Sequence, residues 1–538
     1  MVGRHPHAVE TPVQFRAGPL LFKCFHVLEI VKKYKVLIAN RGEIAIRIAR
    51  SVRELGWIPL GIYTSIDKKS LHRNFVFEDR EVSSYLDIDE ILEAAEKLEA
   101  DIIHPGYGFL SENYEFAEKV LRKGLYFVGP MPETMKIAED KVKIKEIAKK
   151  IGISTLPWKK VESVDDVIKF GEKYGYPVIV KARFGGGGRG IRIINSRNEI
   201  ESMIEQAEKE VESTFKRTGL YVEKYIPKAK HIEVQIIGDN QKILHLFERD
   251  CSLQRRHQKI LEEAPATVLT KSERERILKD GIRLMEQIKY TNAGTVEMLF
   301  DLDARKHYFM EINARLQVEH PVTELITGID IVKQQLLISI GKEMKFGQDD
   351  IRVKGHAIEA RVYAENPVTM MPSPGKITFY REPGGFGVRV DSGVKEGSYV
   401  PAEYESMISK VIVHDLDRRS ALAKLKRALS EYRIVGISTN LPLLWIILDH
   451  PKLRSGLYTT DFFSREEEYL KKTIKEKEML HAAVAAAVFY CLERRKFTSK
   501  IKERVGEERV TSIKRRAWLY WMLLKRRLSR ARARRKKR

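Results

Sequence analysis

Glu311, Asn313, Arg315, Gln317 and Glu319 fall at every second position of one short stretch. Alternate side chains of an extended segment share a face, so this one would offer two carboxylates, two amides and a guanidinium along a line. Met310, Ile312, Ala314, Leu316 and Val318 interleave with them and would face a core. Upstream, Gly294 to Phe300 reads as a strand and Asp301 to Lys306 as a turn. Pairing the two strands would set Glu297 beside Glu311. Carboxylates that close repel unless a cation lies between them. Hard oxygen ligands with room for phosphate oxygens suit magnesium or, by the same logic, manganese. A solvated strand face with ordinary charge pairs is the competing reading.

A second phosphate-type signal lies earlier. Tyr176 to Lys181 is a short apolar strand ending in a lysine, and Ile191 to Ile194 reads as its return. Between them run Gly185, Gly186, Gly187 and Gly188, then Arg189 and Gly190. Four glycines in a row carry an entropic penalty, which close approach of backbone N–H groups to an anion, or a closing lid, would justify. A flexible hairpin tip is the plainer alternative. No Gly-Lys-Ser/Thr follows, so the loop is not a P-loop. A glycine hairpin with Lys181 before it and a carboxylate strand pair after it resembles the layout of an ATP-grasp ligase.

Three further motifs narrow the resemblance. They are Ala39-Asn40-Arg41-Gly42-Glu43-Ile44-Ala45, the run His104 to Asn113 (HPGYGFLSEN), and the run Glu248 to Lys259 (ERDCSLQRRHQK). With Arg315 to Pro321 they closely resemble the biotin carboxylase family, in order, from about Lys35 to about Phe463. Arg183 and Phe184 stand where many stand-alone bacterial relatives carry small residues, which resembles the pyruvate carboxylase branch.

The resemblance implies roles residue by residue. Lys141 and Lys181 would hold ATP phosphates, with Gly186 and Gly187 in the lid. The backbone at Glu223 and Lys224 would read adenine, and His231, Gln254, His257 and Leu299 would line the nucleotide site. Glu297 and Glu311, with Asn313, would bind magnesium. Lys259, Arg315, Gln317 and Val318 would form a bicarbonate pocket. Glu319 would be the base that deprotonates bicarbonate, Arg361 would steady the biotin enolate, and Tyr107 would lie near the biotin ring. Bicarbonate would attack the γ-phosphorus of ATP to give carboxyphosphate, and an arginine fork plus a lysine suits a small flat anion.

The implied fold is α/β: an ATP-grasp architecture with a doubly wound N-terminal domain, a mobile lid and a β-rich C-terminal portion. The βα pattern begins at Lys35 to Asn40, with a helix from Glu43 to Leu55 and strands at Ile58 to Tyr63 and Asp101 to Ile103. The expected boundaries are an extension over 1–30 outside the fold, an N-terminal domain over 31–140, and an ATP-grasp domain over 141–350 with its lid at about 153–222. A C-terminal domain follows over 351–470, then a helical and basic tail over 471–538. Residues 1–30 could be a transit peptide, but they are poor in Arg and Ser, and translation is expected to start near Val31.

The 538 residues include three cysteines, Cys24, Cys251 and Cys491, too few for a disulfide framework, which points to a reducing, cytoplasmic setting. The chain carries +23, yet Leu492 to Arg538 holds 20 Lys and Arg against 4 Asp and Glu. Basicity is therefore a property of the tail. Residues 512–529 would form a helix with Trp518, Trp521 and Leu524 near one face, suited to an acidic partner, phosphates or an anionic surface. Met135-Lys136 and Met344-Lys345 lack the context of a biotinylation hairpin. A separate biotin carboxyl carrier and a separate carboxyltransferase are expected, around a homodimer of this chain. The final acyl acceptor is not encoded here. Two other readings stay open: an ATP-grasp enzyme with an amine acceptor, and a nucleic-acid or membrane-surface binder on a degenerate core.

Overall fold

Val36, Leu37 and Ile38 form an unbroken apolar run and are wholly buried, as in a strand covered on both faces. This strand, β1 (Lys35–Ile38), is followed by α1 (Gly42–Glu54), β2 (Ile58–Tyr63), β3 (Glu78–Glu81), α2 (Ile88–Lys97), β4 (Ile102–His104), α3 (Tyr114–Arg122) and β5 (Tyr126–Phe127). The strands form one parallel sheet in the order β3-β2-β1-β4-β5, the doubly wound arrangement. The computed structural model describes residues 33–185, 190–215, 219–256 and 258–477, with Met479, Ala483, Val484 and Ala487. The extension, the centre of the glycine run (Gly186 and Gly187 included), His257 and the basic tail lie outside the described residues.

Two helices, α4 (Pro132–Glu139) and α5 (Lys141–Lys150), lead into a four-stranded antiparallel sheet. Its strands are β6 (Trp158–Val161), β7 (Val178–Ala182), β8 (Arg192–Ile194) and β9 (Leu220–Lys224), ordered β6-β9-β7-β8, with α6 (Val164–Tyr174) and α7 (Ile200–Phe215) between them in sequence. β7 and β8, on either side of the glycine run in sequence, pair antiparallel. Gly190 sits at φ +68°, and a Cβ there would meet Val211 Cγ2 at 2.5 Å, so only glycine lets α7 pack this close.

Eight of the remaining strands build an antiparallel sheet, ordered β14-β13-β10-β11-β12-β15-β20-β18. In chain order these are β10 (Ala229–Gly238), β11 (Ile243–Arg255), β12 (Gln258–Ala264), then α8 (Lys271–Gln287), β13 (Asn292–Asp301) and β14 (Lys306–Asn313). Helices α9 (His320–Thr327) and α10 (Ile331–Ser339) precede β15 (His356–Tyr363). Short strands β16 (Gly375–Lys376) and β17 (Phe379–Arg381), then β18 (Val388–Ser392), β19 (Tyr399–Val400) and β20 (Met407–Asp415), complete the C-terminal portion before α11 (Arg418–Glu431). All of β10 and β15 is buried, which makes this sheet the spine of the molecule.

The structure corrects the reading of Glu311 to Glu319 as one extended segment. β14 ends at Asn313, and residues 314–319 form a loop and turn that enters α9, with Glu319 at its N-cap. Glu297 pairs with Glu311 as expected, but Met298 pairs with Phe309, so Met310 is the extra residue of a bulge. Phe309 is therefore the fully buried residue, and Met310 is only half-buried. Val318 too is half-buried, while Gln317 and Glu319 are buried although they were expected on the polar side.

Candidate active site

Glu297 and Glu311 lie directly across from each other on β13 and β14. Asn313 Nδ2 donates to Glu297 Oε1 at 2.8 Å, and Lys141 Nζ stands 3.2 Å from Glu311 Oε2. His231 Nε2, from β10, is 3.1 Å from Glu297 Oε2. Burial by itself would raise the Glu297 carboxyl, but Lys259 and His231 outweigh it and hold the group well below the ordinary carboxylate range. Burial lowers the His231 imidazole, and Glu297 more than restores it, so its affinity for a proton is raised. Two ionisable carboxylates facing each other on adjacent strands are hard donors that fit a magnesium or manganese ion, while the Asn313 amide turns its nitrogen to Glu297 and its oxygen to Arg315.

Lys259 is the hub of the next cluster. Its Nζ lies 2.5 Å from Glu233 Oε2, 2.9 Å from Glu297 Oε1 and 2.7 Å from Glu319 Oε1. A bulge in β12 explains its aim. Leu253 pairs with Leu261 and Gln254 with Lys259, so Ile260 is inserted and Lys259 is turned onto the face that carries Glu262. Arg361, on β15, reaches Glu319 Oε2 through Nη2 at 2.9 Å and lies 2.6 Å from Glu262 Oε1 through Nε. Burial would raise the Glu319 carboxyl, but Lys259, Arg361 and Arg249 hold it well below the usual range. Glu319 is thus a buried, ionised carboxylate between two cations.

The loop after β14 gathers a guanidinium, an amide and a backbone carbonyl. Arg315 extends Nη2 to Asn313 Oδ1 (3.2 Å), Nη1 to Gln317 Oε1 (3.1 Å) and Nε towards Glu112 Oε2 (3.0 Å). Gln317 Nε2 is buried with no hydrogen-bond partner among the described residues. An unpaired buried donor beside a guanidinium and near Lys259 suits a small anion. Val318 contributes its carbonyl, which accepts from Lys410 Nζ at 2.8 Å. Lys410 also lies 3.1 Å from Glu43 Oε1, and Tyr107 donates its hydroxyl to Glu43. The N-terminal sheet is thereby tied to the loop that carries Glu319.

At the other end, the four-stranded sheet β6-β9-β7-β8 and the helix before it meet these strands. Asp140 caps α5, accepting from Val142 N (3.1 Å) and Lys143 N (3.2 Å), and takes both arms of Arg183 at 2.9 and 2.6 Å. This fixes Lys141 at the helix start, where its ammonium also reaches the Gly185 carbonyl. Lys181 Nζ is 2.8 Å from Glu223 Oε2, and Lys145 Nζ is 2.6 Å from Glu223 Oε1. Glu223 thus anchors two lysines with its side chain, a use not foreseen where only its backbone was expected to read adenine. The Lys224 amide donates to the Pro157 carbonyl at 3.0 Å. Gln254 Nε2 sits 2.8 Å from His231 Nδ1, and Leu299 pairs with His231 across the strands.

Several buried polar residues here were not singled out from sequence: Glu233, Arg249, Glu262, Glu359 and Lys410. Glu233 had a visible signal, the alternation His231-Ile232-Glu233-Val234-Gln235. Arg249 lies inside the quoted run Glu248 to Lys259, and for it as for Glu262, Glu359 and Lys410 only strand pairing shows what the side chain faces.

Residues 32–135 match the family model for the biotin carboxylase N-terminal domain. Residues 140–346 match that for the carbamoyl-phosphate synthase L chain ATP-binding domain, and 359–465 that for the biotin carboxylase C-terminal domain. The chain is 43% identical over 461 residues to a pyruvate carboxylase subunit of Methanothermobacter thermautotrophicus, covering 82% of this chain and 93% of the relative. It is 42% identical to biotin carboxylase 1 of Bacillus subtilis, covering 80% and 97%. Among solved structures, the Campylobacter jejuni biotin carboxylase, a complex with an ATP ligand, superposes with a TM-score of 0.79 at 40% identity, covering 81% and 99%. The biotin carboxylase domain of Hydrogenobacter thermophilus 2-oxoglutarate carboxylase, a dimer with MgADP and bicarbonate, gives 0.80 at 40% identity, covering 82% and 99%.

Proposed function

The chain belongs to the biotin carboxylase family, and on that premise we propose how its residues carry out ATP-dependent carboxylation of biotin. The observation that carries the reading is the Lys259 ammonium held at once by Glu233, Glu297 and Glu319. It joins the carboxylate strand pair to the base in one charged cluster. A metal held by Glu297, Glu311 and Asn313 would neutralise phosphate charge on ATP. Lys141 and Lys181 would position the phosphates, since phosphoryl transfer is mostly placement and charge stabilisation.

Arg315 and the orphan Gln317 amide would grip bicarbonate with Lys259. As Lys259 turns to the substrate anion, Glu319 loses a counter-ion and its proton affinity rises, which makes it a competent base at that moment. Deprotonated bicarbonate attacks the γ-phosphorus, ADP leaves, and carboxyphosphate forms. Carboxyphosphate then yields carbon dioxide and phosphate, and the phosphate takes the biotin N1 proton. Arg361 would stabilise the enolate form of biotin, with Tyr107 beside the ring. The segment 153–222 would close over the site and exclude water from carboxyphosphate.

Biotin would arrive on a separate carrier and leave towards a separate carboxyltransferase, from a homodimer in the cytoplasm. No helix among the described residues is long and apolar enough to cross a membrane. The basic segment 492–538 would dock an acidic partner protein.

Purified protein should release ADP from ATP only with magnesium and bicarbonate, and free biotin should accelerate it. A chain ending at residue 491 should do the same, but should bind the carrier or transferase more weakly, most of all at low salt. Turnover indifferent to biotin would favour an ATP-grasp enzyme with another acceptor. Loss of turnover on truncation, or assembly unchanged across salt concentrations, would contradict the docking role of the tail.

A further inference from the structure

Glu262 and Glu359 are register partners on β12 and β15, and both are 0% exposed. Their side chains share a face of the spine sheet with Arg361, two residues beyond Glu359. We propose that Glu262 and Glu359 share one proton and, as a singly charged pair, hold Arg361 in line with Glu319. This positioning role rests on the function proposed above for Arg361.

The charges around the pair require it. Glu262 faces two cations and two further carboxylates: Arg361, whose Nε lies 2.6 Å away in the geometry of an ion pair rather than an aligned hydrogen bond, Lys259, already engaged by Glu233, Glu297 and Glu319, and the Glu319 and Glu233 carboxylates themselves. Neither oxygen of Glu359 has a hydrogen-bond partner among the described residues. The groups facing Glu359 are Glu262 from β12, Arg361 from its own strand, Lys410 from β20 and Glu319 from the turn before α9. Of the cations, Arg361 is already engaged by Glu319 and Glu262, and Lys410 by Glu43 and the Val318 carbonyl. On α9 itself, His320 contacts the Gln317 carbonyl, and Glu324 is held by Arg47 and Arg389. Directly across β20 from Glu359 stands apolar Ile412.

Two full charges on facing buried carboxyls with one shared guanidinium are strongly disfavoured. A proton on Glu359 removes the repulsion between the register partners and turns one of its unpartnered oxygens into a donor on the face it shares with Glu262. Burial accordingly raises the proton affinity of both groups, against the pull of Lys410 on Glu359 and of Arg361 on Glu262. Glu262 then carries the one negative charge that anchors Arg361 Nε. That leaves Nη2 to Glu319 and, in turnover, to biotin. Loss of the shared proton would place a second anion beside Arg361 and draw it off line.

The test compares the full chain with its Glu359→Gln variant. A carboxyl protonated in the fold but ionised in the unfolded chain binds a proton on folding. Its stabilisation is present below the ordinary carboxylate range and is lost as pH rises towards the raised folded value. Between pH 5 and 8 the folding equilibrium constant of the wild type should therefore fall by up to about tenfold more per pH unit than that of Glu359→Gln, which has no proton to lose. Parallel stability curves would overturn the shared proton, whatever the protein's activity.

In biotin carboxylation, the alkaline decline should move to higher pH in Glu359→Gln, and an unmoved decline would overturn the positioning role. Glu262→Gln should lower biotin carboxylation by at least about tenfold, the lower end of what loss of a partner that orients a functional side chain removes. A loss under about twofold would count against the pair. If Glu262→Gln does not fold, the Glu359→Gln unfolding and pH comparisons still decide. If wild-type protein carboxylates no biotin, the function reading fails, and the unfolding comparison still settles the proton.

Discussion

Glu319→Gln is expected to slow bicarbonate-dependent ATP turnover by at least about a hundredfold, the usual scale for a positioned base. The side chain is fully buried, with one oxygen 2.7 Å from Lys259 Nζ and the other 2.9 Å from Arg361 Nη2. Glutamine keeps the shape but cannot take a proton from bicarbonate, and its amide nitrogen would face a cation. The fold should survive, because neither cation is orphaned. Lys259 keeps Glu233 and Glu297, and Arg361 keeps Glu262. A melting temperature near that of the wild type, with turnover lost, is the expected pair of results. Full activity in this variant would remove Glu319 from the mechanism.

Arg361→Ser should divide the reaction in two. Arg361 contacts Glu319 and Glu262, whereas Lys259 contacts Glu319 and the Glu297 side of the site. The arginine therefore lies on the side of the base away from the carboxylate strand pair, where phosphoryl transfer would occur. Carboxylation of free biotin should fall by about a hundredfold, the scale of one lost charge-stabilising group. The slow bicarbonate-dependent release of ADP without biotin should fall far less. Equal losses in both assays would contradict this division of labour.

How much of this was legible in the sequence depended on the range of the interaction. Glu297 and Glu311 sit on consecutive strands joined by a short turn, so alternation and turn chemistry place them face to face. The glycine hairpin was readable for the same reason, since β7 and β8 flank it directly. The bulge at Met310 was not, because a bulge is a property of two strands and the segment alone alternates without a break. The turn at 314–319 was hidden by that same alternation, which continues past the point where the strand ends.

Residues supplied from far along the chain were least visible. Lys410 reaches the Val318 carbonyl, and Glu262 meets Glu359 only because β12 and β15 are neighbours. Such contacts are set by sheet order, which no local pattern records. The motif resemblance placed Lys259, Arg315, Glu319 and Arg361 where the structure brings them together, but it was silent on the buried carboxylates that aim them.

The route of one oxygen atom tests the central claim most directly. If bicarbonate oxygen attacks the γ-phosphorus, bicarbonate labelled with heavy oxygen should deliver one labelled atom into each inorganic phosphate formed, measured by mass spectrometry in magnesium, ATP and free biotin. Phosphate whose new oxygen comes from water alone would mean that carboxyphosphate is not formed, and the roles given to Glu319, Arg315 and Lys259 would fall with it.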